Sequence, residues 1–497
     1  MKRSLSLLLT LCLCMMAFSG ISLAAAEEKP VLTMMMHGDN TPTEDNAVIR
    51  ALEEKLGIEL NVIYVPLADY TAKLNTLVAA RTLPDIFLID GDKMAAEDFR
   101  DQGMLLKMDE LLQTKGQDIL AEIGGILKNS PVNQKDGIYA VFPASLDYAS
   151  NFSVRTDWLA KLGLAMPTSL DELYEVLKAF AAGDPDGDGQ NNTIGYVATM
   201  ANLRTFEHIF GAYGICVGKD YLMEDGTVTT YMKAPMYLDA IKYLRKLYKE
   251  GLLDPDFATL PLISAFEKLW TGRTGVLDFQ SVGTTNNWMP GRYTETPVPT
   301  FDFTILSGPG GQGGPIKQYP RYTFYNVIAS TSKYPEKAME LINYLFTEEG
   351  DELTYLGVEG LHYEWVDEAD GKYKKLDPYT DAATHRADGG FVYNKYWKLN
   401  NAEVRTLNEQ TRNGQQLAKE YGIAYPKIIK TLDADREYGA TLKDITMEAF
   451  AQLIVTTGDV DAEYAAFVAR WEEEGGLEYE AEATAAYAEQ LAAQAAQ

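Results

Sequence analysis

The sequence predicts an α/β protein of two or three domains, with a parallel sheet near its start and a helix-rich C-terminus. Three observations carry this. The chain has 497 residues, and a domain commonly holds about 100–200. Its opening alternates strand and helix patterns, which builds a parallel sheet because each crossover helix brings the chain back to run in the same direction. From Thr441 onward, apolar residues recur at helical spacing.

The opening elements follow in order. Residues 31–36 form an apolar strand pattern, 44–56 an amphipathic helix stopped by Gly57, 58–65 an alternating strand, 69–81 a second helix, and 86–89 a buried strand after Pro84-Asp85. In such sheets ligands gather outside the carboxyl ends of the strands. Those ends are His37-Gly38-Asp39-Asn40 and Asp90-Gly91-Asp92. Asp39, Asn40 and Asp90 suit the hydroxyl groups of a ligand, and they equally suit helix caps and turns.

Further along, 94–137 carries helical patterns and 137–143 a short strand. Residues 206–254 are mainly helical, 264–271 a helix, 274–279 a strand, and 280–300 a loop that holds Trp288. Residues 308–315 (GPGGQGGP) predict a flexible loop. They lack the preceding strand and the following Lys-Ser/Thr of a phosphate cradle. An aromatic strand at 319–330 holds Arg321, Tyr322 and Tyr325, a helix spans 335–347, and 389–397 interleaves aromatic and polar residues around Trp397. Flat aromatic faces suit the apolar faces of sugar rings, while Asp, Asn, Arg and Tyr collect their hydroxyls. Aromatic strand residues are also common core residues.

The most informative stretch is 151–195. Ser169 precedes a helix with Leu170, Leu173, Leu177 and Phe180 on one face, Ser169-x-x-Glu172 has capping-box spacing, and Gly183 ends the helix. Residues 184–195 (DPDGDGQNNTIG) then place side-chain oxygens at alternate positions with Gly189 sixth, as in the first half of an EF-hand calcium loop. The second half departs, because position twelve is Gly195 and not a bidentate Glu. Taken alone, the loop fits either a cation site or a solvated Asp/Gly turn.

The run from Arg155 to Gly195, R-x-DWL-x-KLGL-x-x-P-TSLDELYEVLKAF followed by DPDGDGQNNTIG, resembles the large extracellular solute-binding proteins of bacterial ABC sugar importers, in their oligosaccharide-binding branch. The resemblance implies a two-lobe, periplasmic-binding-protein-like fold with a hinge and an interlobe ligand cleft. Residues 27–143 plus 280–326 would form the N-terminal lobe and 144–279 plus 327–497 the C-terminal lobe. The expected crossings are 137–143, 264–279 and 319–330. It also implies a structural Ca²⁺ held by Asp184, Asp186, Asp188, the Gln190 carbonyl and Asn192, with Thr193 standing where many relatives carry an acid. Tyr148 and Asn151 would face the cleft at the hinge, and Trp288 and Trp397 would stack on sugar faces. Asp39, Asn40, Asp90, Arg321, Tyr322 and Tyr325 complete the expected contacts. The implied function is capture of an extracellular carbohydrate by a monomer that closes its lobes and delivers the ligand to the permease subunits. No bond is made or broken.

Lys2-Arg3, an apolar run from Leu5 to Leu13 and Ala24-Ala25-Ala26 together predict a signal peptide at 1–26. Cys12 and Cys14 follow Leu11 and Leu13, where a small residue should precede a lipidated Cys, so a lipid anchor is not expected. Cleavage would leave Cys216 alone, hence no intrachain disulfide. It would also leave 42 basic against 72 acidic residues, a formal charge of −30. That balance argues against nucleic acid, and against an anionic ligand unless a local basic patch overrides it, for which Arg155, Arg321 and Arg386 are the candidates. No later run reaches the ~18 apolar residues of a membrane span.

Catalytic motifs are absent: the four His are at 37, 208, 362 and 385, and there is no HExxH, GxSxG or CxxC. The main rival is a secreted glycoside hydrolase, which needs only two carboxylates ~5–10 Å apart in space. The eight βα repeats of the commonest hydrolase barrel are missing. A calcium-dependent scaffold would show internal repeats, and none is found.

Overall fold

The computed structural model describes residues 29–38, 41–91, 94–142, 151–190, 192–278, 294, 299–317, 324–390, 402, 406 and 409–495. The predicted opening alternation is present as β1 (Val31–His37), α1 (Ala47–Leu56), β2 (Glu59–Val65), α2 (Tyr70–Ala80) and β3 (Ile86–Asp90), followed by α3 (Ala96–Asp101). β1 pairs parallel with β2 along its whole length and with β3 at Met34 and Met35. The Asn46 side chain caps α1 by accepting from Ile49 N, and Tyr70 locks α2 to β3. The Tyr70 hydroxyl accepts from Leu88 N at 2.9 Å and donates to Leu88 O at 3.1 Å. Such a buried phenol is tolerated because both of its hydrogen-bonding roles are filled.

The second lobe is built on a different sheet. β4 (Phe152–Arg155) leads to α4 (Leu170–Ala182) and α5 (Tyr237–Lys249), then β5 (Val276–Asp278) and β6 (Phe301–Thr304) flank β4 antiparallel on its two sides. Leu173, Leu177 and Phe180 of α4 bury the face read from the sequence, in one core with Leu244 and Leu247 of α5, Phe152 and Tyr196. Burial of such side chains stabilises by about 1.5–3 kcal/mol each relative to exposure.

The chain then returns. β7 (Phe324–Ile328) lies antiparallel on β3, so the first sheet runs β7-β3-β1-β2, and α6 (Pro335–Tyr344) packs Ala338, Met339, Leu341 and Ile342 into the first core. After α7 (Glu409–Tyr421) come α8 (Asp433–Val455), α9 (Val460–Trp471) and α10 (Leu477–Ala495), the predicted helical C-terminus. Ile445, Ala449, Phe450 and Leu453 of α8 enter the second core. Glu482 on α10 caps α8 by accepting from Asp433 N and Ala434 N at 3.0 and 2.8 Å. Among the described residues, no helix is long and apolar enough to cross a membrane.

Two lobes are as expected, but their boundaries differ. Residues 301–304, assigned from the sequence to the first lobe, form an edge of the second sheet, and 335–344, assigned to the second, pack in the first core. The expected crossing at 264–279 is not one, since helix 262–270 and β5 both belong to the second lobe. Local periodicity does not identify which sheet a strand joins. Of the expected strand 137–143, the described residues 137–142 give only a bridge, Val141 with Asn326. The Gly-rich segment is ordered instead of a free loop: Leu306–Gly308 pairs with Gly311–Gly313 in a hairpin. A Cβ at Gly313 would collide with the backbone of Gly211 and Ala212, so glycine there permits backbone contact.

Candidate functional site

The lobes face each other across a cavity of about 570 Å³. The first lobe contributes Gly91 at the carboxyl end of β3, Glu97 in the first turn of α3, and Tyr325 of β7. The second contributes Lys219, Asp220, Tyr479 of α10 and the segment 425–432 ahead of α8. This segment has no regular backbone partner ladder, and Gln490 of α10 holds it in place. Gln490 Oε1 accepts from Ile429 N at 3.0 Å, and its Nε2 donates to Lys427 O at 3.0 Å. The Thr431 hydroxyl reaches across to donate to Glu97.

Burial shapes the charges in the cavity. The Asp220 carboxyl is pushed up to about 6, first by burial, although Tyr479 donates to its Oδ1 at 2.9 Å. The Lys427 ammonium is pushed down to about 8 by burial and then by the Lys219 charge. The Lys219 ammonium lies 5.6 Å from the centre of the Tyr425 ring, within cation–π range.

Of the contacts expected from the sequence, Tyr325 lines the cavity. Asp90 is buried beside it at the end of β3, opposite Phe324, with its carbonyl accepting from Met94 N at 2.8 Å. Asn151 is buried in the second lobe at the start of β4, near α7. Its Nδ2 has no acceptor among the described residues. Asp39, Asn40, Tyr148, Trp288, Arg321, Tyr322 and Trp397 lie outside the described residues. Sequence reasoning passed over Tyr425, Lys427, Lys430 and Thr431. The signal was available in YPKIIKT, where Pro426 and two Lys three residues apart interrupt two helical patterns.

The second constellation is the Asp loop after α4. Ser169 caps α4 by accepting from Glu172 N, and Glu172 Oε2 accepts from Thr168 N at 2.8 Å, one residue before the expected capping-box partner. Gly187 and Gly189 have φ of 77° and 75°, a region that glycine enters without strain. Their N–H groups donate to Asp184 Oδ1 at 3.1 and 3.3 Å, and Gln190 N donates to Asp188 Oδ1 at 2.7 Å. The turn brings one carboxylate oxygen each of Asp184, Asp186 and Asp188 within 4.8 Å of one another.

Asp186 Oδ1 and Asn192 Oδ1 are buried acceptors with no donor among the described residues. Burial, then the neighbouring Asp184 and Asp188, push the Asp186 carboxyl up. Unsatisfied acceptors among like charges fit a hard cation that takes oxygen ligands. The Gln190 side chain is exposed, and Thr193 Oγ1 donates to Phe180 O at 2.7 Å, tying the loop to the end of α4.

Residues 38–352 match the family of bacterial extracellular solute-binding proteins. The chain belongs to that family. Among its relatives, Lipoprotein LipO of Bacillus subtilis is 26% identical over 489 residues, covering 93% of each chain. The fructooligosaccharide ABC transporter substrate-binding protein FusA of Streptococcus pneumoniae is 23% identical, covering 93% of this chain and 90% of FusA. The solved structure of FusA in complex with kestose matches the fold with a TM-score of 0.71 at 22% identity, covering 93% of this chain and 99% of that one. A FusA structure described as an EF-hand mutant matches with a TM-score of 0.69 at 21% identity, covering 93% and 99% of the two chains.

Proposed function

We propose that this solute-binding protein captures an extracellular carbohydrate between its lobes and delivers it to the membrane subunits of an ABC permease. The observation that carries the reading is the cavity shared by both lobes, lined by Tyr325, Tyr425 and Tyr479 together with charged hydrogen-bonding groups. Aromatic faces with convergent polar groups are what a sugar ring needs. FusA, a relative along nearly the whole chain, is a fructooligosaccharide-binding protein of such a transporter, which supports the same ligand class here. A ligand touching both lobes favours the closed arrangement by its extra contacts in that state. Trp288 and Trp397 are the stacking residues this reading adds, with Asp39, Asn40 and Arg321 holding hydroxyls.

The Asp184–Asn192 loop is read as a Ca²⁺ site, supported by the orphaned oxygens of Asp186 and Asn192 and the convergence of three carboxylates. Asp184, Asp186, Asp188, Asn192 and the Gln190 carbonyl would hold the ion. Its contribution is stability of the loop against α4, and no reaction passes through it. The leader at 1–26 and the family support export and an extracellular or cell-surface location. Since LipO is a lipoprotein, anchoring is decided by whether the mature N-terminus carries lipid.

The test is a thermal-shift screen of the mature protein against mono- and oligosaccharides, with chromatography of every stabilising sugar before and after incubation. A rise in melting temperature with the sugar recovered intact is expected. Recovery of shorter products would assign the chain to glycoside hydrolysis, and no response to any carbohydrate would overturn the ligand class.

A further inference from the structure

A second cavity lies beside the one between the lobes. It holds about 270 Å³ and, among the described residues, is lined by the second lobe alone: Thr446 and Met447 of α8, Trp471 at the end of α9, and Tyr231. Asp220, Asp435 and Tyr479 line both cavities, so the hydrogen bond of 2.9 Å from Tyr479 to Asp220 stands where the two meet. Ligand pockets begin at roughly 300 Å³, and a cavity of this size takes one ring and not a chain. Tyr231 is its most informative residue. It is 5% exposed, its ring packs at 5.7 Å from that of Tyr237, and its hydroxyl makes no hydrogen bond to any described residue. The Thr446 hydroxyl beside it is already committed, donating to Lys443 O at 2.8 Å. A buried hydroxyl without a partner costs free energy in the empty protein, and a ligand hydroxyl placed in the cavity recovers it. Asp220 accepts from Tyr479 through Oδ1, which leaves its second oxygen, with the carboxylate of Asp435, to accept from the same ligand.

We propose that this cavity is a subsite of the second lobe for a terminal unit of the bound oligosaccharide. Tyr231, Asp220 and Asp435 engage the hydroxyls of that unit while the preceding units occupy the cavity between the lobes. The proposal rests on the carbohydrate reading and adds a length requirement to it. Because the first lobe contributes no described residue to the subsite, its contribution does not depend on closure, and a ligand long enough to reach it stays on the second lobe when the lobes part. A shorter ligand leaves Tyr231 unpartnered and gains nothing there.

The experiment is titration calorimetry of the mature protein with oligomer series of glucose, galactose, mannose, fructose and galacturonate, each from the dimer upward. Within a series that binds, affinity should step up at one length by roughly tenfold or more, the worth of one or two hydrogen bonds. Tyr231→Phe should remove about two- to tenfold of that step, the worth of one hydrogen bond, and leave the shorter members unaffected. It should leave the melting temperature of the free protein unchanged or raised, because a phenyl ring strands no hydroxyl. Met447→Trp, which fills the cavity, should remove the whole step. Tyr231→Phe keeps the shape of the side chain and decides the matter should Met447→Trp fail to fold. Affinity that is flat with length assigns the cavity to ordered water and overturns the proposal. A step that survives Tyr231→Phe, or variants that weaken short and long members alike, also overturns it, and in each of these cases the carbohydrate reading stands. No binding by any series overturns the carbohydrate reading itself, and the subsite with it.

Discussion

Thr431, on the second lobe, donates its hydroxyl to the carboxylate of Glu97 on the first. The bond joins the turn that precedes α8 to the first turn of α3, so it spans the cavity at one edge and is made only while the lobes are together. A hydrogen bond of this kind contributes about 0.5–1.5 kcal/mol net. Thr431→Val should therefore weaken ligand binding roughly two- to tenfold, by the same energy. The unliganded melting temperature should stay within about a degree, because neither lobe's core is touched. Calorimetry beside a melting curve checks this, and an unchanged Kd would mean that the contact plays no part in closure.

The Asp loop makes a second prediction. Removing Ca²⁺ with a chelator should lower the melting temperature by several degrees, since an ion at a hundred times its Kd stabilises by about 2.7 kcal/mol. Asp186→Asn should abolish the response, because Asp186 supplies one of the two buried orphan oxygens. Indifference of the wild-type protein to chelator would sink the Ca²⁺ assignment.

Asp220 makes a pH-dependent one. Its carboxyl is raised to about 6 from an ordinary value of 3.8, with burial the leading cause. The charged form is the one the folded state disfavours, so the group's contribution is fully present below the unfolded value and is lost as pH rises through about 6. Asp220→Asn, which still offers an acceptor to Tyr479, should match the wild-type melting temperature near pH 4 and exceed it at pH 7.5. A difference that stays constant across that interval would show that Asp220 is not the titrating group.

The pair His208 and Asp278 ties the helical part of the second lobe to β5. Both are fully buried, His208 Nδ1 lies 2.6 Å from Asp278 Oδ1, and Asp278 Oδ2 accepts from His208 N at 2.8 Å. Burial pushes the Asp278 carboxyl up, and His208 opposes that shift. Breaking such a pair strands a buried polar group, at a cost of about 3–5 kcal/mol. Asp278→Ala should lose that much in urea unfolding of the second lobe; a loss below about 1 kcal/mol would make the pair incidental.

The legible parts of the chain were those whose information is local. The β1-α1-β2-α2-β3 alternation, the Ser169 cap, the 3.6-residue face of α4, and the alternating oxygens from Asp184 to Asp188 all rest on spacings within one or two turns. The capping box was offset by one residue, because Glu172 reaches Thr168 N, and this depends on how the preceding chain enters the helix. The C-terminal helices were legible as helices but not as partners of α4 and α5 in one core.

Sequence alone determined the family, through a run of residues around a capped helix and an oxygen-bearing loop, and the element types, through periodicity. Tertiary structure decided which strand joins which sheet: β6 and β7 are separated by fewer than 20 residues, yet they belong to different lobes. It also decided the charge of the cavity. Net charge is a sum over the chain, and the field in a cleft depends on which few side chains the fold brings there; Lys219, Lys427, Lys430 and Arg436 are spread over about two hundred residues and meet because α10 holds the 425–432 segment against β3 and α3.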